Sequence, residues 1–194
     1  MKKPSQLPEE IIAERVHDIL VELGENPDRD GLKRTPQRVE ASLKFLTRGY
    51  HVSIDKVING AIFEAEYDEM VIVKDISIAS LCEHHLAPFV GKCHIAYIPK
   101  GGRILGISKL ARLAETFSRR LQLQERLTTD IANTLFDGLK PLGVMVVIEA
   151  EHTCMTLRGV RKADAKTVTS AVLGGFRTDP RTRSEAMSLI KGRD

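Results

Sequence analysis

Between Pro8 and Leu23 the apolar side chains fall at Ile11, Ile12, Val16, Ile19, Leu20 and Leu23. That spacing gathers them on one stripe of a helix, with Glu9, Glu10, Glu14, Arg15 and Glu22 outside it. Gly24, then Asn26-Pro27-Asp28, stops the helix. Residues 1–6 read as a frayed tail, and His17 as a surface histidine. A second helix opens at Thr35-Pro36, with Thr35 as N-cap and proline where its missing N–H is not needed. Val39, Leu43 and Leu46 form its buried stripe, and Gly49 ends it. Residues 50–66 hold apolar side chains with no clear period.

After Tyr67-Asp68 the pattern changes. Met70 to Ile78 is rich in β-branched residues and predicts a strand that runs into Ser80-Leu81-Cys82-Glu83-His84-His85. A second strand spans Phe89–Ile98, and Pro99-Lys100-Gly101-Gly102 is a turn. Ser108 caps a helix with Leu110, Leu113, Ala114, Phe117 and Leu121 on one side. The next helix starts at Gln124 or Glu125 and carries Leu127, Ile131, Ala132, Leu135, Phe136 and Leu139. A strand from Val144 to Glu149 continues towards Cys154, and Thr167–Leu173 is the last strand. Asp179-Pro180 opens a final helix over Arg183–Ile190.

Two hairpins around two consecutive helices predict an α+β fold: an antiparallel four-stranded sheet with both helices on one face. The expected division is an N-terminal helical region, residues 1–66, and a sheet domain with its C-terminal helix, residues 67–194. Such a sheet leaves its edges open. Continuing it through further copies into a ring would close them, so a homo-oligomer is expected.

Composition narrows the function classes. Three cysteines without a CxxC pair support neither a zinc finger nor a disulfide framework. No signal peptide and no membrane span are visible, which points to the reducing cytoplasm and away from a membrane partner. The net charge of +3, no Trp and 5% aromatic residues argue against a nucleic-acid partner.

The chemistry concentrates in two places. Cys82-Glu83-His84-His85 offers a thiolate and an imidazole at a spacing that lets one turn present both to a metal. His152 and Cys154 lie two apart, on the same face if their strand continues. Cys93, inside an apolar strand, reads as a small buried hydrophobe. A Cys2His set with one open position would make zinc a Lewis acid, leaving two histidines to move protons. Ser108 and Lys109 at a helix start, with Arg112 and Arg158, favour an anion such as phosphate. Arg38, near another helix start, is a further candidate. Gln124-Glu125 pairs an amide with a carboxylate, which suits the donor edge of guanine.

Cys82–His85, Gly106–Arg112, Gln122–Thr128 and His152–Val160 together resemble GTP cyclohydrolase I, and the resemblance runs from Thr35-Pro36-Gln37-Arg38-Val39 to the last strand. It implies the tunnelling fold, a toroidal homodecamer with active sites between subunits, and conversion of GTP and water to 7,8-dihydroneopterin triphosphate and formate. It implies zinc on Cys82, His85 and Cys154, a water attacking C8 of the purine, and His84 and His152 moving protons. Gln124 and Glu125 would bind guanine; Ser108, Lys109, Arg112, Arg158 and Arg38 would hold the ribose triphosphate. The rivals are a related enzyme acting on a pterin or deazaguanine, which the intact Cys-x-x-His and His-x-Cys motifs oppose, and a non-catalytic zinc-dependent nucleotide binder.

Overall fold

The computed structural model describes residues 11–58 and 60–192. The expected tail over residues 1–6 and the expected helix start at Pro8 lie outside them. The chain divides into two compact units, Met1–Thr47 and Arg48–Asp194.

The first unit holds helix α1 (Ile11–Glu22) and helix α2 (Thr35–Leu46). Two helices can cover only one face of each other. Val39, Leu43 and Leu46 are accordingly half-buried, while Ala13, Pro36 and Glu40 are buried. The Glu40 carboxylate accepts the Ala13 N–H at 2.9 Å and so ties α2 to α1. Lys44 pairs with the same carboxylate. Thr35 is not the N-cap expected from the sequence. The preceding turn carries into the helix, Arg34 takes the cap position, and the Thr35 hydroxyl donates to the Gly31 carbonyl.

The second unit opens with a 3-10 turn, Arg48–His51, and the short helix α3 (Ile54–Ile58). Then come β1 (Ile62–Glu64), β2 (Val71–Cys82), β3 (Pro88–Ile98), β4 (Arg103–Leu105), α4 (Ile107–Ser118), β5 (Leu121–Gln122) and α5 (Gln124–Leu139). β6 (Gly143–His152), α6 (Thr153–Thr156), β7 (Lys166–Gly174), α7 (Gly175–Thr178) and α8 (Pro180–Lys191) complete it. The main sheet runs β5-β2-β3-β6-β7. Its four long strands are antiparallel, as the two-hairpin pattern predicts. Two features were not legible. β5 adds a parallel pair, Leu81 with Leu121 and Cys82 with Gln122, and β1 pairs with β4 in a separate ribbon.

Period-two alternation divides the core. Cys93, Ile95 and Tyr97 of β3 and Val144, Val146 and Ile148 of β6 face Leu110, Leu113 and Phe117 of α4 and Leu127, Ile131 and Leu135 of α5. Ala96, Met145 and Val147 face the other way, towards Phe176, Ala186 and Met187. The two expected consecutive helices therefore do share one face, and α8 lies on the other. The Asp179 carboxylate caps α8 by accepting the Arg181 N–H at 2.8 Å.

The buried Tyr97 hydroxyl accepts the Leu105 N–H at 3.0 Å and ties β4 to the sheet. Tyr97→Phe leaves that buried amide unpaired and is expected to cost about 1–3 kcal/mol of stability. Urea unfolding of the two proteins checks this through the shift in midpoint.

Candidate active site

Cys82 is the last residue of β2, and Pro88 begins β3. Between them the chain reverses in a tight turn. The Cys82 carbonyl accepts the His85 and Leu86 N–H groups at 3.3 and 2.8 Å, and the Cys82 N–H donates to Ala87 at 2.8 Å. Leu86 closes the turn at φ 53°, a left-handed conformation unusual for leucine. The turn is braced from outside. The Glu83 N–H donates to Gln122 at 3.2 Å, and Arg126 of α5 pairs with the Glu83 carboxylate while donating to Gln122 Oε1 at 3.0 Å. The neighbouring guanidinium holds the Glu83 carboxyl below the usual carboxylate range. The sequence reading missed this brace, although Gln122 and Arg126 belong to a motif it singled out.

Cys154 arrives by a different route from the one expected. β6 ends at His152, and Thr153–Thr156 is one helical turn. Residues 152 and 154 are therefore not paired on one strand face. β6 pairs His152 with Phe89 of β3, and the Thr153 hydroxyl donates to the Pro88 carbonyl at 2.6 Å. These contacts anchor the turn beside the Cys82 loop.

One ligand atom each from Cys82, His85 and Cys154 lies within 4.8 Å of the others. Cys82 Sγ and His85 Nδ1 are 3.8 Å apart. Tetrahedral zinc with thiolate and imidazole ligands sets such pairs about 3.5–3.8 Å apart. Burial first, then the adjacent Cys82 sulfur, pushes the Cys154 thiol up. Two sulfurs that close hold negative charge poorly unless a cation stands between them, so the donor set fits a metal. Cys93 is fully buried in the core, away from this group, and burial pushes its thiol up to about 12. Brief iodoacetamide treatment of the folded protein at pH 8 is expected to leave Cys93 unmodified until denaturant is added, as peptide mass spectrometry would read.

His84 is exposed, its ring edge-on to His85 with centroids 6.0 Å apart. The His152 ring stacks on Phe89 with centroids 4.4 Å apart, and its Nε2 lies 2.7 Å from Gln124 Oε1. Burial lowers the affinity of His152 for a proton, and Glu125 opposes this. Glu125 is exposed at the start of α5. Gln124 is buried, and its Nε2 lies within 3.1 Å of the Ile148 and Thr167 carbonyls and the Thr169 hydroxyl. The reading of guanine by the Gln124 amide has to compete with these bonds. Arg158 stands in the loop after α6, close enough to act on the Cys154 thiol.

The residues expected to bind an anion lie elsewhere in the fold. Ser108 falls inside α4 rather than at its cap, which is Gly106. The C-terminal end of α4 is tied to the Cys82 end of β2 by Ser80 donating to Arg120 and Arg119 donating to Ala79. Its N-terminal end follows Leu105, held by Tyr97, which pairs with Val71 at the opposite end of β2. From Ser108 to Ser118 the helix rises about 15 Å. Ser108, Lys109 and Arg112 are therefore not gathered with Cys82, His85 and Cys154. Arg38 is exposed on α2, in the first unit.

The sequence model of GTP cyclohydrolase I matches residues 12–191. The chain belongs to the GTP cyclohydrolase I family. It is 56% identical to GTP cyclohydrolase 1 of Synechococcus sp. (strain JA-2-3B'a(2-13)) over 176 residues, 91% of this chain and 76% of that protein. It is 53% identical to GTP cyclohydrolase 1 of Coxiella burnetii (strain Dugway 5J108-111) over 180 residues, 93% of this chain and 97% of that protein. Among solved structures it is similar to an archaeosine synthase QueF-Like in the apo form, with 20% identity and a TM-score of 0.45 over 55% of this chain and 94% of that one. Among the described residues, no helix of this family member is long and apolar enough to cross a membrane.

Proposed function

We propose that this protein converts GTP and water to 7,8-dihydroneopterin triphosphate and formate, the entry step to folate and other pterins. The observation that carries the reading is the convergence of Cys82, His85 and Cys154 beside His152 in a chain of this family. Cys82, His85 and Cys154 would hold zinc, which supplies Lewis-acid activation of water when bound. His152 and His84 take up and return protons as water adds at C8, the imidazole ring opens and formate leaves. Glu125 accepts from the N1 and N2 donors of guanine, with Gln124 beside it. Arg158, Ser108, Lys109, Arg112 and Arg38 hold the triphosphate.

The functional unit in this reading is a ring of copies, a toroidal decamer in the cytoplasm, built on a tunnelling-fold domain from residue 67 onwards. Two features support shared sites. The cysteine end and the α4 N-terminus lie at opposite ends of one sheet, and a second copy would bring them together. Both ends also expose apolar side chains: Leu86, Leu157 and Val160 near the cysteines, and Ile107 beside Ser108. Purified protein is expected to contain zinc and to release formate from GTP with a pterin that fluoresces after oxidation. Zinc without formate release would leave the nucleotide-binding rival standing.

A further inference from the structure

Gln124 occupies the first position of α5 and is 1% exposed. Its side chain reaches between two strands. Nε2 lies 3.0 Å from the Ile148 carbonyl of β6 and 3.0 Å from the Thr167 carbonyl of β7. A carbonyl oxygen only accepts, so the end of the amide facing both must be the NH2 group. Turning the amide over would place Oε1 against two carbonyl oxygens at the same distance. Both orientations of an amide usually have to be weighed; here the neighbours permit one. The Thr128 and Thr169 hydroxyls, 2.6 Å apart, close the cluster, with Thr128 donating to the Gln124 backbone carbonyl at 2.7 Å and Thr169 3.1 Å from Nε2.

Oε1 is then fixed as an acceptor, and it stands 2.7 Å from His152 Nε2. The nitrogen facing it must carry a hydrogen. The Phe89 ring, stacked at 10° to the imidazole, holds the plane in which that bond is made. We infer that Gln124 is a positioning residue that fixes His152 as the Nε2–H tautomer, with the lone pair on Nδ1. The β6 and β7 carbonyls thus set, through one amide, which nitrogen of the histidine carries the hydrogen.

This inference rests on the proton-moving role of His152 proposed above, and it assigns the Gln124 side chain to the protein rather than to guanine. The tautomer can be read without substrate. Histidine-labelled protein would be measured by solid-state 15N NMR, with His152→Asn used to assign the signal. The intact protein is expected to show one His152 tautomer with hydrogen on Nε2. Hydrogen on Nδ1 instead overturns the inference, whether or not the protein turns over GTP. Gln124→Met removes the acceptor and keeps the length of the side chain. It is expected to mix the two tautomers and lower kcat about 10- to 100-fold, as loss of an orienting partner does, with KM for GTP and zinc content little changed. A rise in KM larger than the fall in kcat would make Gln124 a guanine contact and overturn the positioning role. If no form of the protein releases formate, the functional reading fails, and the spectrum of the intact chain decides this inference alone.

Discussion

Cys154→Ala is expected to abolish zinc binding and to lower GTP turnover on the order of 1,000-fold, about 4 kcal/mol in the barrier. The geometry makes the two losses inseparable. Cys154 is one of three donors gathered within 4.8 Å, and the other two, Cys82 and His85, come from a single turn. Two ligands from one turn cannot fix a tetrahedral ion, whereas the third, brought by the helical turn after β6, closes the set. His152→Ala should behave differently. His152 contacts Gln124 and Phe89 and is not one of the gathered donors. Zinc content should stay near that of the intact protein while turnover falls about 100- to 10,000-fold, the range for loss of a general acid–base group. Metal analysis beside formate release reads both. Zinc retained in Cys154→Ala would remove that residue from the ligand set; zinc lost in His152→Ala would add His152 to it.

The sequence carries more of the fold than of the site's assembly, and the reason is the range of the forces. The long strands and α4, α5 and α8 each bury a face against the sheet, so periodicity reports them directly. Residues 50–66 build α3 and β1, which are too short for a period, and β5 is two residues long. Those elements exist because of partners distant in sequence: β4 for β1 and the end of β2 for β5. The candidate metal ligands Cys82, His85 and Cys154 were legible, but the delivery of Cys154 was not. A β-rich run from Val144 to His152 gives no local sign that the next residue turns into a helix. Thr153 bonding back to Pro88 supplies that sign, and it is a tertiary contact. The engagement of Gln124 was hidden likewise, because its partners lie on β6 and β7, 24 to 45 residues away.

Mixing two inactive variants is expected to restore activity, and this test bears on assembly as no single substitution can. In the proposed site Cys154→Ala would spoil the metal half and Lys109→Ala the phosphate half. α4 carries Lys109 about a helix length from the end of the sheet that holds Cys82. If each working site takes its metal half from one copy and its phosphate half from another, random mixing in equal amounts leaves both halves intact in about a quarter of the sites. Each variant alone should retain about 1% of activity or less, since losing a metal ligand or a charge that holds the triphosphate costs on the order of 100-fold or more. Dissociating and reassembling the mixture should therefore raise formate release to about a quarter of the value for the intact protein. Mixing without dissociation is the control. Recovery at that level shows that each site is shared between copies. No recovery after reassembly would mean that one chain completes its own site, and α4 would then have to move towards the cysteines when GTP binds.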